Sequence, residues 1–117
     1  MVKVVILLTW RGGTSPEEFA RHARERHMPL VAALPGLRRL VLKHVLPDPA
    51  GPPPPYDAVA EDWFDDPAAM EAAFASDAGQ AVLADAPRFL DMTRLHLLVV
   101  EEEEIPLAPG AGPGSAA

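Results

Sequence analysis

The sequence predicts an α+β domain in which four β-strands and two helical regions alternate in the order β-α-β-β-α-β. Two observations carry this prediction. Short apolar runs recur at four places along the chain, and helix-capping residues stand before the segments that join the first pair and the last pair of these runs. A chain of 117 residues can form one domain with one hydrophobic core. We therefore expect a single domain over residues 1–105.

The first half of the chain reads as a strand followed by an amphipathic helix. The strand covers residues 3–10, and Ser15 with Glu18 forms the capping box that typically opens a helix. Proline interrupts helices, so we expect Pro29 to stop this helix and leave His27 at its end. A further turn is expected near residues 30–34.

The second half repeats this pattern after a second strand. A Pro-Gly turn precedes strand two, an Asp-Pro pair caps the second helical region, and Ser76 restarts a helix after it. The expected strands are residues 37–46, 57–64 and 94–102. The resulting order of elements is that of the ferredoxin-like fold, whose sheet has four antiparallel strands.

Nine of the fourteen prolines lie in two segments, residues 47–55 and residues 106–117. Proline fixes φ and lacks a backbone donor, so we expect residues 47–55 to form a stiff loop between strands two and three. Residues 106–117 have almost no apolar side chains to bury, and we expect a disordered tail.

Charge and composition exclude several classes of protein. Seventeen acidic residues against ten basic ones give a net charge of −7, whereas nucleic-acid binders normally carry a basic face. The absence of cysteine excludes disulfides and cysteine zinc sites, and no group of histidines and carboxylates has the spacing of a metal site. No apolar run approaches the ~20 residues of a membrane span. We expect a cytoplasmic protein without nucleic-acid or membrane partners.

The strands are apolar on both faces, although two helices can cover only one face of a four-stranded sheet. Residues 4–8 and 97–100 are uninterrupted apolar runs, and strand two adds residues 40–42. A bare apolar face of several hundred Å² is more than monomers usually expose. We therefore expect a homodimer in which two sheets pack face to face and enclose a cavity. The alternative is a monomer whose C-terminal tail covers the sheet.

The chain resembles the EthD family of dimeric α+β-barrel proteins. The matching segments are Ser15–Phe19, His27–Leu30, Leu34–Leu37, Tyr56–Phe64 and Pro87–Phe89. The resemblance implies a link to catabolic operons for ethers and aromatic compounds. Similar domains act as lactone isomerases, polyketide cyclases or dehydratases without a metal or organic cofactor, and others are monooxygenases or haem-handling proteins.

His27 is the candidate catalytic residue. Its imidazole titrates near ~6.5, so it can both accept and donate a proton at cellular pH. In a dimer cavity it would move a proton next to a carbonyl group or assist the loss of water. The alternative is a structural role, in which the imidazole bonds a backbone carbonyl at the helix end.

Four further residues are candidates for substrate binding. If Phe64 packs under the second helix, strand parity sends Glu61 and Trp63 to the opposite face. His44 and His96 would add polar groups to the same dimer cavity if their strand faces both point into it. In the alternative interpretation the histidines lie at strand ends, Trp63 fills core, and Lys43 or Arg39 neutralises Glu61.

Together these observations predict a homodimer that binds a small hydrophobic or cyclic carbonyl compound. It would act as a cofactor-free isomerase, cyclase or dehydratase with His27 as acid and base. Two other functions stay open: a non-enzymatic ligand carrier or accessory protein of an oxygenase system, and a purely structural dimer.

Overall fold

Four strands form one antiparallel sheet in the computed structural model, which describes residues 1–110. The strands are β1 (Val2–Leu8), β2 (Arg39–His44), β3 (Ala58–Phe64) and β4 (His96–Val100). Their spatial order is β2-β3-β1-β4, so β3 and β1 are central and β2 and β4 are the edges. This order confirms the predicted ferredoxin-like α+β fold.

The helices pack on one face of this sheet. They are α1 (Pro16–His22), a π-helical turn (Ala23–His27), α2 (Met28–Ala32), α3 (Pro67–Ala75) and α4 (Asp77–Asp85). Two 3₁₀ turns, Ala86–Arg88 and Met92–Arg94, lead into β4. No helix within residues 1–110 is long and apolar enough to cross a membrane.

The first helical region does not end at His27, so this part of the sequence prediction is wrong. Ser15 caps α1 as expected, with its Oγ accepting a hydrogen bond from the Glu18 N–H at 3.1 Å. The Met28 N–H then bonds the carbonyl of Ala23, five residues earlier, and the chain continues into α2 through Pro29. The wider π turn gives room for a proline ring that would clash with a carbonyl in a regular helix.

Helices α3 and α4 meet at a sharp corner. Asp66 caps α3 as predicted, and Ser76 ends α3 and caps α4 through its Oγ, which accepts from the Gly79 N–H at 3.2 Å. A Cβ atom on Gly79 would lie 2.2 Å from the carbonyl oxygen of Phe74. The corner therefore requires glycine for close approach of the two helices.

The core lies between the helices and the inner face of the sheet. Alternate residues of the central strands point to it, among them Val4 and Leu8 of β1 and Ala60 and Phe64 of β3. One buried cluster contains Phe19 and Phe89, and a second contains Val31, Phe64 and Val82. The helices thus cover the sheet on this face only.

The outer face of the sheet is half apolar and half charged. The apolar half lies on β1 and β4 and includes Val5, Leu7, Leu98 and Val100, of which Leu98 is 54% exposed. The other half, on β2 and β3, carries charged residues around Glu61. The described part of the expected tail, residues 106–110, is exposed and has no helix or strand, and residues 111–117 lie outside the described part.

The proline-rich segment between β2 and β3 has no helix or strand from residue 45 to residue 57. Asp48 holds a turn there, since its Oδ1 accepts a hydrogen bond from the Ala50 N–H at 2.9 Å. The extent of the domain, predicted as residues 1–105, stays a prediction.

Candidate functional site

His27 lies at the end of the π turn and is buried between the helices and the sheet, with 7% of its surface exposed. Its ring packs against Phe89 with a centroid separation of 4.8 Å. Its Nδ1 lies 2.9 Å from Oδ2 of Asp85, which stands in the last turn of α4. The alternative expected from the sequence, a bond to a backbone carbonyl, is replaced here by a bond to a carboxylate.

A second imidazole shares the same carboxylate oxygen. His22, one helical turn earlier, places its Nε2 2.9 Å from Oδ2 of Asp85 and stacks on Phe89 at 4.5 Å. An ionised carboxylate only accepts hydrogen bonds, so both ring nitrogens that contact it must donate their N–H. This fixes His27 with its proton on Nδ1 and leaves Nε2 as a free acceptor when the ring is neutral.

The protonation states follow from burial and from these bonds. Burial alone would raise the pKa of Asp85, but the hydrogen bonds from His22 and His27 outweigh it and hold that pKa below its ordinary value. Burial lowers the pKa of His27 below 6.5, although the bond to Asp85 opposes this effect. At neutral pH the site therefore contains a neutral His27 beside a carboxylate, which is the state of a general base.

His27 lines a cavity of about 80 Å³ between the helices and the inner face of the sheet. Thirteen of the fifteen lining residues are apolar, and the other two are His27 and Asp62. Three lining side chains, Leu83, Met92 and Leu97, are between 41% and 53% exposed and mark the mouth between α4 and β4. An apolar cavity with a few polar groups is the usual form of a small-molecule site.

Asp62 is the second polar group of this cavity, and it was not singled out from the sequence. It lies on central strand β3 with 1% of its surface exposed, between Leu40 of β2 and Val4 of β1. Its Oδ1 has no hydrogen-bond partner among residues 1–110. Burial raises the pKa of Asp62 to about 6.

Glu61 and Trp63 point to the outer face of the sheet, as strand parity predicts, and away from His27. Glu61 pairs with Lys3 and with Lys43, whose Nζ lies 2.6 Å from Oε1. The hydrogen bonds from these two lysines hold the pKa of Glu61 below its ordinary value. Glu61 therefore belongs to an ion-pair cluster. This matches the alternative stated for the sequence, in which Lys43 neutralises Glu61.

Trp63 is also part of this outer cluster. Lys3 and Arg39 stand over its ring, with Nζ at 4.8 Å and Cζ at 4.6 Å from the ring centroid. Both distances are within the range of cation–π contacts. The structure brings Glu61 and Trp63 together, but on the opposite side of the sheet from the cavity that His27 lines.

His44 and His96 lie on opposite faces of the sheet, so the expectation that they share one cavity is wrong. His44 is paired with Ala58, which faces the helices, whereas His96 is paired with Leu7, which faces outward. Both are exposed. Residue parity shows which positions of one strand share a face, but only the pairing partner shows which face it is.

The cavity itself also lies on a different side from the one expected. The sequence predicted that His27 opens into a cavity between the sheets of two chains. The structure places it under the helices of one chain, because the helix that carries it packs on the inner face of the sheet. No group of three or more histidines and carboxylates within the described residues could hold a metal ion.

Two functional candidates, Asp62 and Asp85, had signals in the sequence. The parity that sends Phe64 into the core also sends Asp62 there, two residues earlier on the same strand. Asp85 continues the buried stripe of α4 formed by Gly79 and Val82 at a spacing of three residues. In both cases a carboxylate occupies an apolar position of a periodic pattern.

Comparisons with known proteins agree with this fold. An uncharacterised 11.0 kDa protein from the thcB-thcC intergenic region of Rhodococcus erythropolis is 29% identical over 101 residues, which cover 86% of this chain and 97% of that protein. An ethyl tert-butyl ether D (EthD) family protein from Bacillus halodurans superposes with a TM-score of 0.77 at 28% identity, covering 88% of this chain and 99% of that chain.

A dimeric ferredoxin-like protein of unknown function from Thermobifida fusca shares the fold, with a TM-score of 0.65 at 19% identity over 85% of this chain and 88% of that chain. The model of the EthD domain matches residues 11–93, which is more than half of the sequence and includes His22, His27, Asp62 and Asp85. The chain therefore belongs to the EthD family.

Proposed function

We propose that this protein binds a small apolar carbonyl compound in the cavity under its helices and moves a proton on it, with His27 as acid and base. The observation that carries the proposal is the geometry of His27. Its Nδ1–H is held by Asp85 at 2.9 Å while the ring forms part of the wall of an apolar cavity. This arrangement supports proton-transfer chemistry without assigning a role to any cofactor.

The Asp85 contact prepares His27 for this role. A carboxylate that accepts the Nδ1–H fixes the tautomer and the ring orientation, and it stabilises the imidazolium that forms when Nε2 takes a proton. The lowered pKa of His27 keeps the ring neutral before the reaction. Phe89 also packs against the His27 ring, with the two ring planes tilted by 49°.

The reaction that fits these groups is an isomerisation by proton shift. Nε2 of His27 removes a proton from the carbon next to the carbonyl, and the electron pair moves towards the carbonyl oxygen. The same imidazolium then returns the proton to another carbon or to a leaving hydroxyl. No electrons are gained or lost overall, so the step needs no external oxidant or reductant.

The size of the cavity limits the ligand. A volume of about 80 Å³ is smaller than the ~300–1,000 Å³ of most ligand pockets. A ligand larger than a small ring must therefore displace the side chains at the mouth, where Met92 and Leu97 are exposed. This favours compact cyclic compounds.

The test uses a β,γ-unsaturated cyclohexenone, whose proton shift yields the conjugated isomer that ultraviolet absorbance detects. We expect the wild-type protein to accelerate this isomerisation and His27→Gln to lose ~100-fold or more of the rate, the usual contribution of a general base. The matched control is His96→Gln, the same change at an exposed histidine on the outer face. Equal rates for His27→Gln and the wild type would refute the catalytic proposal.

A second candidate function is a ligand carrier. The apolar lining of thirteen residues and the apolar mouth favour binding as such, without requiring chemistry. Binding of the same ketone by wild type and His27→Gln, with no acceleration by either, would establish this alternative.

We also propose that the protein is a homodimer formed by the outer faces of two sheets. The apolar half of this face, with Leu98 at its edge, is uncovered by residues 1–110. The dimeric fold relative from Thermobifida fusca supports such an assembly. In this dimer the two cavities under the helices would lie on the outside, one in each chain.

A further inference from the structure

Asp62 is a buried carboxyl group for which neither the fold nor the action of His27 gives a reason. On the inner face of the sheet it stands in a cross-strand row with Leu40 and Val4. It is 1% exposed, and its Oδ1 has no partner among the described residues. Burying an unpaired polar group costs free energy, so its presence in the core calls for an explanation.

The residues that line the cavity around Asp62 include no lysine or arginine to balance a negative charge. The row on the sheet supplies Val4 and Leu40, α3 supplies Phe74, and α4 supplies Val82. His27 is the only other titratable residue among the fifteen that line the cavity, and its Nδ1–H is already given to Asp85. Burial raises the pKa of Asp62 to about 6, so the protonated carboxyl, which is a donor as well as an acceptor, predominates below about pH 6.

A protonated carboxyl in an apolar cavity lacks an acceptor for its O–H, and a ligand can supply one. We propose that Asp62 donates a hydrogen bond to the carbonyl oxygen of the ligand and so makes this cavity selective for neutral carbonyl compounds over hydrocarbons of the same shape. An anionic ligand is disfavoured because the lining contains no lysine or arginine. The inference rests on the proposed function in that it uses the same cavity as the ligand site.

The two polar groups then have complementary tasks in the proton shift. His27 takes the proton from carbon, and the negative charge that develops on the carbonyl oxygen is stabilised by the O–H of Asp62. A donor placed where charge develops in a water-poor site is among the larger contributions to catalysis. In the protonated molecules the carboxyl keeps its proton throughout, so the balance of the reaction is unchanged, and this assistance fades as pH rises through about 6.

The test measures binding rather than turnover, with cyclopentanone and its hydrocarbon counterpart methylenecyclopentane as probes in NMR titrations. We expect the wild-type protein to bind the ketone about tenfold more weakly at pH 7 than at pH 5, because only the protonated carboxyl donates. Asp62→Asn keeps a donor that does not titrate, and its binding of the ketone should lose most of this dependence. Any dependence that remains in Asp62→Asn reports His27 and its neighbours.

Asp62→Ala removes the donor and should bind the ketone and the hydrocarbon with similar affinity. If its preference for the ketone equals that of the wild type, the inference is wrong. It is equally wrong if the pH dependence is the same in the wild type and in Asp62→Asn, a variant of nearly identical shape that guards against misfolding. A failure of the isomerisation assay would refute catalysis by His27 and leave this binding result standing.

Discussion

The burial of Asp62 makes a quantitative prediction about stability. Its pKa is raised from 3.8 to about 6 in the folded protein, and a difference of one in pKa corresponds to ~1.4 kcal/mol. The fold therefore favours the protonated form of Asp62. At a pH where Asp62 is ionised in both the folded and the unfolded protein, its burial lowers the free energy of unfolding by about 3 kcal/mol. Asp62→Asn, which cannot ionise, should be more stable than the wild type by about this amount at high pH.

The sign of the pH dependence follows from the same values. The folded state binds the proton more tightly, so the contribution of Asp62 to stability is fully present below pH 3.8 and is lost as pH rises through about 6. The stability difference between Asp62→Asn and the wild type should thus be near zero at about pH 3.5 and reach about 3 kcal/mol near pH 8. Other titrating groups cancel in this difference, because both proteins contain them.

Urea unfolding followed by the fluorescence of the two tryptophans measures this difference at several pH values. The control is Asp65→Asn, an exposed aspartate bonded to Arg38 at 2.7 Å, whose pKa the Arg38 bond lowers. Its effect should have the opposite sign, because the charged form of Asp65 is the one favoured by folding. A stability difference for Asp62→Asn that does not change with pH would refute the reasoning about burial.

Three other predictions test separate parts of the structure. Gly79→Ala should lower the free energy of unfolding by about 2 kcal/mol in thermal or urea unfolding, since the new Cβ meets a carbonyl oxygen at 2.2 Å; a gain in stability from better helix propensity would contradict the close approach. Asp85→Asn should lower the pKa of His27 further, as NMR titration of that ring would show, because the negative charge is lost and a neutral amide oxygen is a weaker acceptor for the Nδ1–H; an unchanged pKa would contradict the contact. Leu98→Asp on the outer face should shift sedimentation from dimer to monomer, whereas Leu97→Asp on the inner face of the same strand should not; a dimer that survives Leu98→Asp contradicts the proposed interface.

Local signals explain what the sequence could predict of this fold. The order of strands and helices follows from apolar runs separated by capping residues, and Ser15, Asp66 and Ser76 each cap their helix by accepting a hydrogen bond from a backbone N–H. Strand parity correctly separated Phe64 from Glu61 and Trp63 because side chains alternate along a strand. Each of these features depends on residues near one another in the chain.

The remaining features depend on contacts between distant residues. Pro29 does not end the helix, because a π turn before it relieves the clash that a regular helix would impose. The faces of His44 and His96 depend on pairing with Ala58 and Leu7, which no local pattern shows. The side of the sheet on which His27 lies depends on the packing of its helix, and the sequence prediction placed it in the wrong cavity.

The hydrogen-bond partner of His27 also could not be predicted from local sequence patterns. Asp85 is 58 residues away in the chain, and only the packing of α4 beside the π turn brings its carboxylate within 2.9 Å of the ring. Asp62, in contrast, was accessible from parity, because a charged residue stood at an inward position of a central strand. A carboxylate at a core position of a periodic pattern is thus the signal most worth following in a sequence of this kind.

The central claim is that Nε2 of His27 faces a ligand in the cavity under the helices. Nitrogen-15 NMR of histidine-labelled protein tests it directly, because the shifts of the two ring nitrogens report protonation and contact separately. We predict that His27 carries its proton on Nδ1 and that cyclopentanone changes its Nε2 shift while leaving the exposed His44 and His96 unchanged. A response at His44 or His96 without one at His27 would place the ligand elsewhere and contradict the account.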